Sequence, residues 1–158
     1  MSAKYSNEPL LLSMNRVKRA YIGGKLLDEW QGLENPQDSH LSEEFLVSTV
    51  EVTNKDKSAG EGLSKVVLSD STESYLRDLI ASDYAAFLGK DYQDLRDVGV
   101  STRIGDTTVR IVLQCHPDSQ FSQKYLDFPN GKAEAWYILE TREADGEKPV
   151  LYAGFKNG

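Results

Sequence analysis

Two short stretches hold the residue types that a divalent-metal centre needs. In Val112-Leu113-Gln114-Cys115-His116-Pro117-Asp118, an extended backbone puts Gln114 and His116 on one face, because strand side chains alternate with period two. His116 offers an imidazole nitrogen and Gln114 a carbonyl oxygen, a borderline and a hard donor suited to zinc or manganese. A carboxylate to complete the charge balance stands in Asn130-Gly131-Lys132-Ala133-Glu134-Ala135-Trp136-Tyr137-Ile138-Leu139. There the same alternation sends Glu134 and Trp136 to one side and Ala133, Ala135 and Tyr137 to the other. Lys132 shares the face of Glu134, so its ammonium is a candidate contact for a phosphate or hydroxyl held beside the metal. Each feature has a commonplace reading too. A lone strand histidine is often a hydrogen-bonded structural residue, a turn lysine is often solvated, and Trp136 and Tyr137 suit core packing.

These residues need strands to position them. Alternating β-branched and apolar residues predict strands over 107–115, 133–141 and 150–155, separated by segments rich in Pro, Asp, Asn and Gly. In the first of these Val109, Ile111, Leu113 and Cys115 form an apolar stripe opposite the ligand face, which makes Cys115 a small buried hydrophobe. Upstream, 45–53 reads as another strand. The spacing of Leu76, Leu79, Ile80, Ala86 and Phe87 predicts one substantial helix over 72–88, with Asp70 as N-cap, Glu73 three residues on and Gly89 as the stop. The first nine residues are polar and are expected to be flexible. The pair Glu43-Glu44 reads as a solvated edge, His40 as a loop residue, and Glu140, Glu143, Asp145 and Glu147 around Gly146 as an exposed hairpin turn. The fold class expected is mainly β with one substantial helix, in a single domain over 1–158.

The totals bound the function. At 158 residues, 39% hydrophobic and 27% charged with five prolines, the chain has the composition of a globular domain able to bury a core without staples. Its single cysteine cannot pair within the chain and no stretch has signal-peptide or membrane-spanning length, so a cytoplasmic location is expected. A net charge of −7, from 25 acidic and 18 basic residues, repels phosphate backbones and argues against nucleic acid. A small anionic substrate stays open, because a local lysine or a metal outweighs a weak overall charge at close range.

The run Gln-x-His-Pro-Asp, followed after a loop by Gly-Lys-x-Glu-x-Trp-Tyr-x-Leu, resembles the paired signature of class I mannose-6-phosphate isomerases, a zinc-dependent cupin family. Arg19 with Gly23-Gly24 and Lys25-Leu26 is similar to that family's N-terminal Arg-x-Trp-Gly-Gly segment. The resemblance implies a partial cupin-like (jelly-roll) barrel, with Gln114, His116 and Glu134 as ligands of zinc or another divalent metal. It implies Lys132 as a contact to a small sugar phosphate, and the interconversion of mannose 6-phosphate and fructose 6-phosphate. Two departures are local: Val112 stands where the family has serine, and Tyr21 and Ile22 share the place of its tryptophan. The third concerns what the family draws from a later strand, a fourth, histidine ligand and the basic catalytic groups. These imply a natural C-terminal continuation beyond Gly158, with no catalytic residue identified in this stretch and the isolated chain weak or inactive. The rival reading is a non-catalytic cupin module that binds a sugar or metal.

Overall fold

The computed structural model describes residues 5–92 and 98–154. They form two compact units, one running to Val109 and one starting at Arg110. The expected flexible start falls partly outside the described residues. Among those described, no helix is long and apolar enough to cross a membrane.

The first unit contains β1 (Arg16–Val17), α1 (Lys25–Trp30), β2 (Glu43–Val47), β3 (Lys65–Val67), β4 (Glu73–Tyr75), α2 (Leu76–Ser82), α3 (Tyr84–Leu88) and β5 (Thr102–Gly105). Strands β1, β2 and β5 make an antiparallel sheet with β2 in the middle, and β3 and β4 make a separate hairpin. The architecture is therefore mixed, helices beside open sheets, with no closed barrel among the described residues. Val17, Phe45 and Val52 form one apolar cluster. Val66, Leu76 and Ile80 form another, onto which Leu10, Leu12, Leu79 and Phe87 pack.

The helix expected over 72–88 divides, and local hydrogen bonding explains how. The Asp70 carboxylate accepts from the Thr72 hydroxyl at 2.6 Å and the Thr72 N–H at 3.1 Å, which closes the β3–β4 turn instead of capping a helix. These bonds hold the Asp70 carboxyl below the usual carboxylate range, the hydroxyl contributing most. At Asp83 the backbone leaves the helical region, and its side chain accepts from Ala86 N–H at 3.1 Å, so a second helix starts where the first should have continued. Gly89 ends it at φ 88°, as the spacing led one to expect.

The strand expected over 45–53 is also corrected: β2 covers Glu43–Val47 and its register slips between Phe45 and Val47. The pair Glu43-Glu44 is not a solvated edge, for the two are only 6% and 4% exposed. Both lie on the central strand of a three-stranded sheet, which supplies partners on either side. As alternation requires, they part company. Glu44 accepts from Asn15 N–H at 2.6 Å, while Glu43 takes the Tyr21 hydroxyl and the guanidinium groups of Arg19 at 3.2 Å and Arg103 at 3.5 Å.

Burial first, and then the bond to Glu43 and its charge, push the Tyr21 hydroxyl from 10.0 up to about 12, against a smaller lowering by Arg19. A raised folded-state value means that the stability linked to this group is whole below about pH 10 and is lost as pH rises toward about 12. Alkaline unfolding followed by phenolate absorbance should show one tyrosine ionising late and together with unfolding. The Tyr21→Phe variant should lack that late step; a wild-type titration with no retarded tyrosine contradicts the assignment.

The second unit holds α4 (Ser119–Phe121), which runs on into a π-type turn over Ser122–Leu126. Residues 111–118 before it and 131–143 after it lie outside regular structure. The strands expected over 107–115, 133–141 and 150–155 are therefore not formed among the described residues, Phe155 lying outside them. A strand exists only with a ladder partner, and among the described residues these segments have none. The readings that depended on them change accordingly: Leu113 is 95% exposed, Tyr137 85%, and Trp136 and Cys115 are exposed as well. The hairpin turn does form. Ala144 and Glu147 bond to each other across Asp145 (φ 51°) and Gly146 (φ 77°), two adjacent left-handed residues of the kind that close a two-residue turn.

Candidate metal centre

The chemistry-bearing residues of the second unit are brought together by a backbone clip. The Asp118 carboxylate accepts from Phe121 N–H at 2.7 Å and so caps α4. One residue on, the Ser119 hydroxyl accepts from Gly131 N–H at 3.1 Å, and the Pro117 carbonyl accepts from Lys132 N–H at 3.0 Å. The two chain segments approach so closely at this point that a Cβ on residue 131 would lie 2.7 Å from both Pro117 O and Asp118 C. Glycine is the only residue that fits there without moving backbone.

The clip sets Lys132 beside His116. The Lys132 ammonium lies 3.2 Å from His116 Nε2 and 3.1 Å from Glu134 Oε1, and His116 Nε2 is 3.4 Å from Glu134 Oε2. An ammonium has hydrogens to give and no lone pair, so in its contact with His116 it is the donor and Nε2 the acceptor. That assigns the proton of a neutral His116 to Nδ1. The imidazole lone pair and the carboxylate thus face one shared cation. The side chains of His116 and Glu134 are 24% and 19% exposed, so the pair is largely shielded but reachable.

Such a donor pair is suited to a metal. Ligands about 2.0 to 2.2 Å from a tetrahedral ion stand roughly 3.3 to 3.6 Å apart, and the separation of Nε2 and Oε2 falls in that interval. A histidine nitrogen and a carboxylate oxygen are also a natural mixture for zinc. Gln114 is exposed and takes no part in the hydrogen bonds that join the other three. Among the described residues, no group of three or more His, Cys, Asp and Glu side chains is gathered closely enough to hold an ion. Of the four residues singled out from the sequence, three converge and Gln114 stands outside their hydrogen bonds.

Several contributors were not singled out. Pro117 and Ser119 act through a backbone carbonyl and a short hydroxyl, and only the Asn130-Gly131 turn pair hints at the close approach. In the first unit Asp106 accepts from the N–H groups of Gly24 at 2.9 Å and Leu26 at 3.0 Å, closing the Gly23-Gly24 turn from 82 residues away. Arg19 pairs with Glu43, and its carbonyl contacts His40 Nδ1 at 2.9 Å, which makes His40 a hydrogen-bonded loop residue. Comparison of the chain with protein-family models, with curated proteins and with solved structures finds no match.

Proposed function

We propose that this chain carries the metal-binding half of a mannose-6-phosphate isomerase site. The observation that carries the reading is the convergence of the His116 imidazole, the Glu134 carboxylate and the Lys132 ammonium within 3.1 to 3.4 Å. It joins the two motifs whose order and spacing resemble that zinc-dependent family. In this reading His116 and Glu134 hold the metal, and Gln114 turns inward as a third donor. Zinc, when bound, polarises the sugar carbonyl and stabilises charge on the developing enediolate oxygen. Glu134 neutralises part of the metal's charge, and Lys132 meets an anionic oxygen of the sugar phosphate. The exposed alternating segments around Leu113 and Tyr137 would pair with further strands, completing a jelly-roll and supplying the fourth ligand and the proton-transfer base. The whole would work on a small sugar phosphate in the cytoplasm.

The second reading, a cupin module that binds a sugar or metal without turnover, is favoured by one specific feature: Val112 stands where the family carries serine. A coupled assay that follows fructose 6-phosphate, run with and without a chelator, separates the two. The 158-residue chain should turn over little, and a longer chain that carries this segment together with the fourth ligand and the base should show chelator-sensitive activity. A correctly placed acid or base contributes typically about 10² to 10⁴-fold, which sets the scale of the difference. Robust chelator-sensitive turnover by the short chain would show the catalytic groups to be misassigned. An extended protein that binds zinc but leaves mannose 6-phosphate unchanged would establish the binding module.

A further inference from the structure

We propose that Lys132 and a divalent metal compete for the His116 imidazole nitrogen and for the charge of the Glu134 carboxylate, so that metal entry turns the lysine out of the site. The inference rests on the metal-centre reading above and adds to it a device that governs loading. The Lys132 ammonium takes a lone pair of His116 Nε2 at 3.2 Å and one of Glu134 at 3.1 Å. A metal bound between His116 and Glu134 needs the same imidazole lone pair and the same carboxylate, at about 2.0 to 2.2 Å. The nitrogen has only one lone pair in its ring plane, so the two cations exclude each other there. Lys132 rests on Oε1 and the metal edge uses Oε2, but two positive charges a few ångströms apart on one carboxylate repel, which weakens the lysine's remaining hold.

The lysine is built to leave. Its backbone is fixed by the bond from its N–H to the Pro117 carbonyl at 3.0 Å, whereas its side chain is 42% exposed on a flexible four-carbon stem. Displacement therefore swings the ammonium about a fixed Cα. The freed group stays within a side-chain length of the metal, where a phosphate or hydroxyl oxygen can take the place of Glu134 as its partner. One residue would then guard the unloaded donors and grip the ligand of the loaded site.

The test measures zinc binding and lysine accessibility together. Calorimetry with zinc alone should find Lys132→Met binding more tightly than the wild type by about tenfold, the order expected when one partly exposed ion pair and its attendant hydrogen bond no longer compete. Loss of a nearby positive charge would by itself also favour zinc, so a second readout is needed. Acetylation of the wild-type chain, quantified by peptide mass spectrometry, should proceed severalfold faster at Lys132 with zinc than without it, while exposed Lys124 serves as the internal reference. Equal or weaker zinc binding by Lys132→Met, or a Lys132 acetylation rate that saturating zinc leaves unchanged, overturns the competition and leaves the metal centre standing. Zinc binding by neither protein removes the metal centre and the competition with it.

Discussion

His116→Ala is expected to weaken zinc binding by more than about 100-fold, beyond the roughly 10- to 100-fold that partners of a ligand typically cost. The substitution deletes one of the two donors that face the shared cation and leaves Glu134 alone with Lys132. A single carboxylate already engaged by an ammonium is a poor zinc ligand, because the bite that matched a tetrahedral edge is gone. The measurement is calorimetry at a pH where imidazole is neutral. His116→Gln refines it: an amide oxygen can still accept from Lys132 but is a weaker zinc donor than an imidazole nitrogen, so this variant should melt like the wild type and bind zinc much more weakly. Undiminished zinc affinity in both variants would place the metal elsewhere.

Gly23→Ala should destabilise the first unit by about 3 kcal/mol or more, at the upper end of what overpacking costs. A Cβ at residue 23 would lie within van der Waals radii of the Asp106 carbonyl oxygen, 2.6 Å from its carbon and 2.7 Å from Thr107 Cα. All of these are backbone atoms, and the strand they follow, β5, pairs with the central β2, so none can yield cheaply. The same movement would pull Asp106 from the N–H groups of Gly24 and Leu26 and uncap α1. Denaturant unfolding of Gly23→Ala beside Gly32→Ala gives the comparison, since a Cβ at Gly32 meets nothing within 4 Å although its φ of 71° disfavours alanine. Equal losses in the two variants would mean that the close approach at Gly23 costs no more than the left-handed backbone at Gly32.

Local pattern carried part of the structure into view and long-range pairing decided the rest. Alternation was enough to separate Glu43 from Glu44, and the acidic residues around Gly146 were enough to anticipate the turn at Asp145-Gly146, because both act within a few residues. It could not reveal that both carboxylates are buried, since Tyr21, Arg19, Arg103 and Asn15 reach them from distant parts of the chain. The apolar spacing behind a single helix was real, but Asp83 offers Ala86 a cap and Asp70 offers Thr72 a turn, and these local bonds win over propagation. For the segments around Leu113 and Tyr137 the pattern reports only a propensity to be a strand. Whether a ladder forms depends on what lies alongside, about which a segment's own residues are silent. Three of the residues singled out do lie together, for a physical reason: Lys132 and Glu134 are two residues apart, and one glycine-dependent clip suffices to bring His116 to them.

That clip also divides the chain's freedom to vary. The bonds from Gly131 to Ser119 and from Lys132 to Pro117 tie the two ends of the intervening loop together beneath it. Residues 120–130 thus form a detachable excursion whose ends are already joined. Insertions or deletions there would lengthen or shorten the excursion without altering the spacing of His116 and Lys132, since loop-closure entropy changes only slowly with length. Related chains can be expected to differ freely in loop length at this place while holding Pro117 and Gly131 constant, and a foreign peptide or tag grafted between Lys124 and Asp127 should be carried without disturbing the donors below.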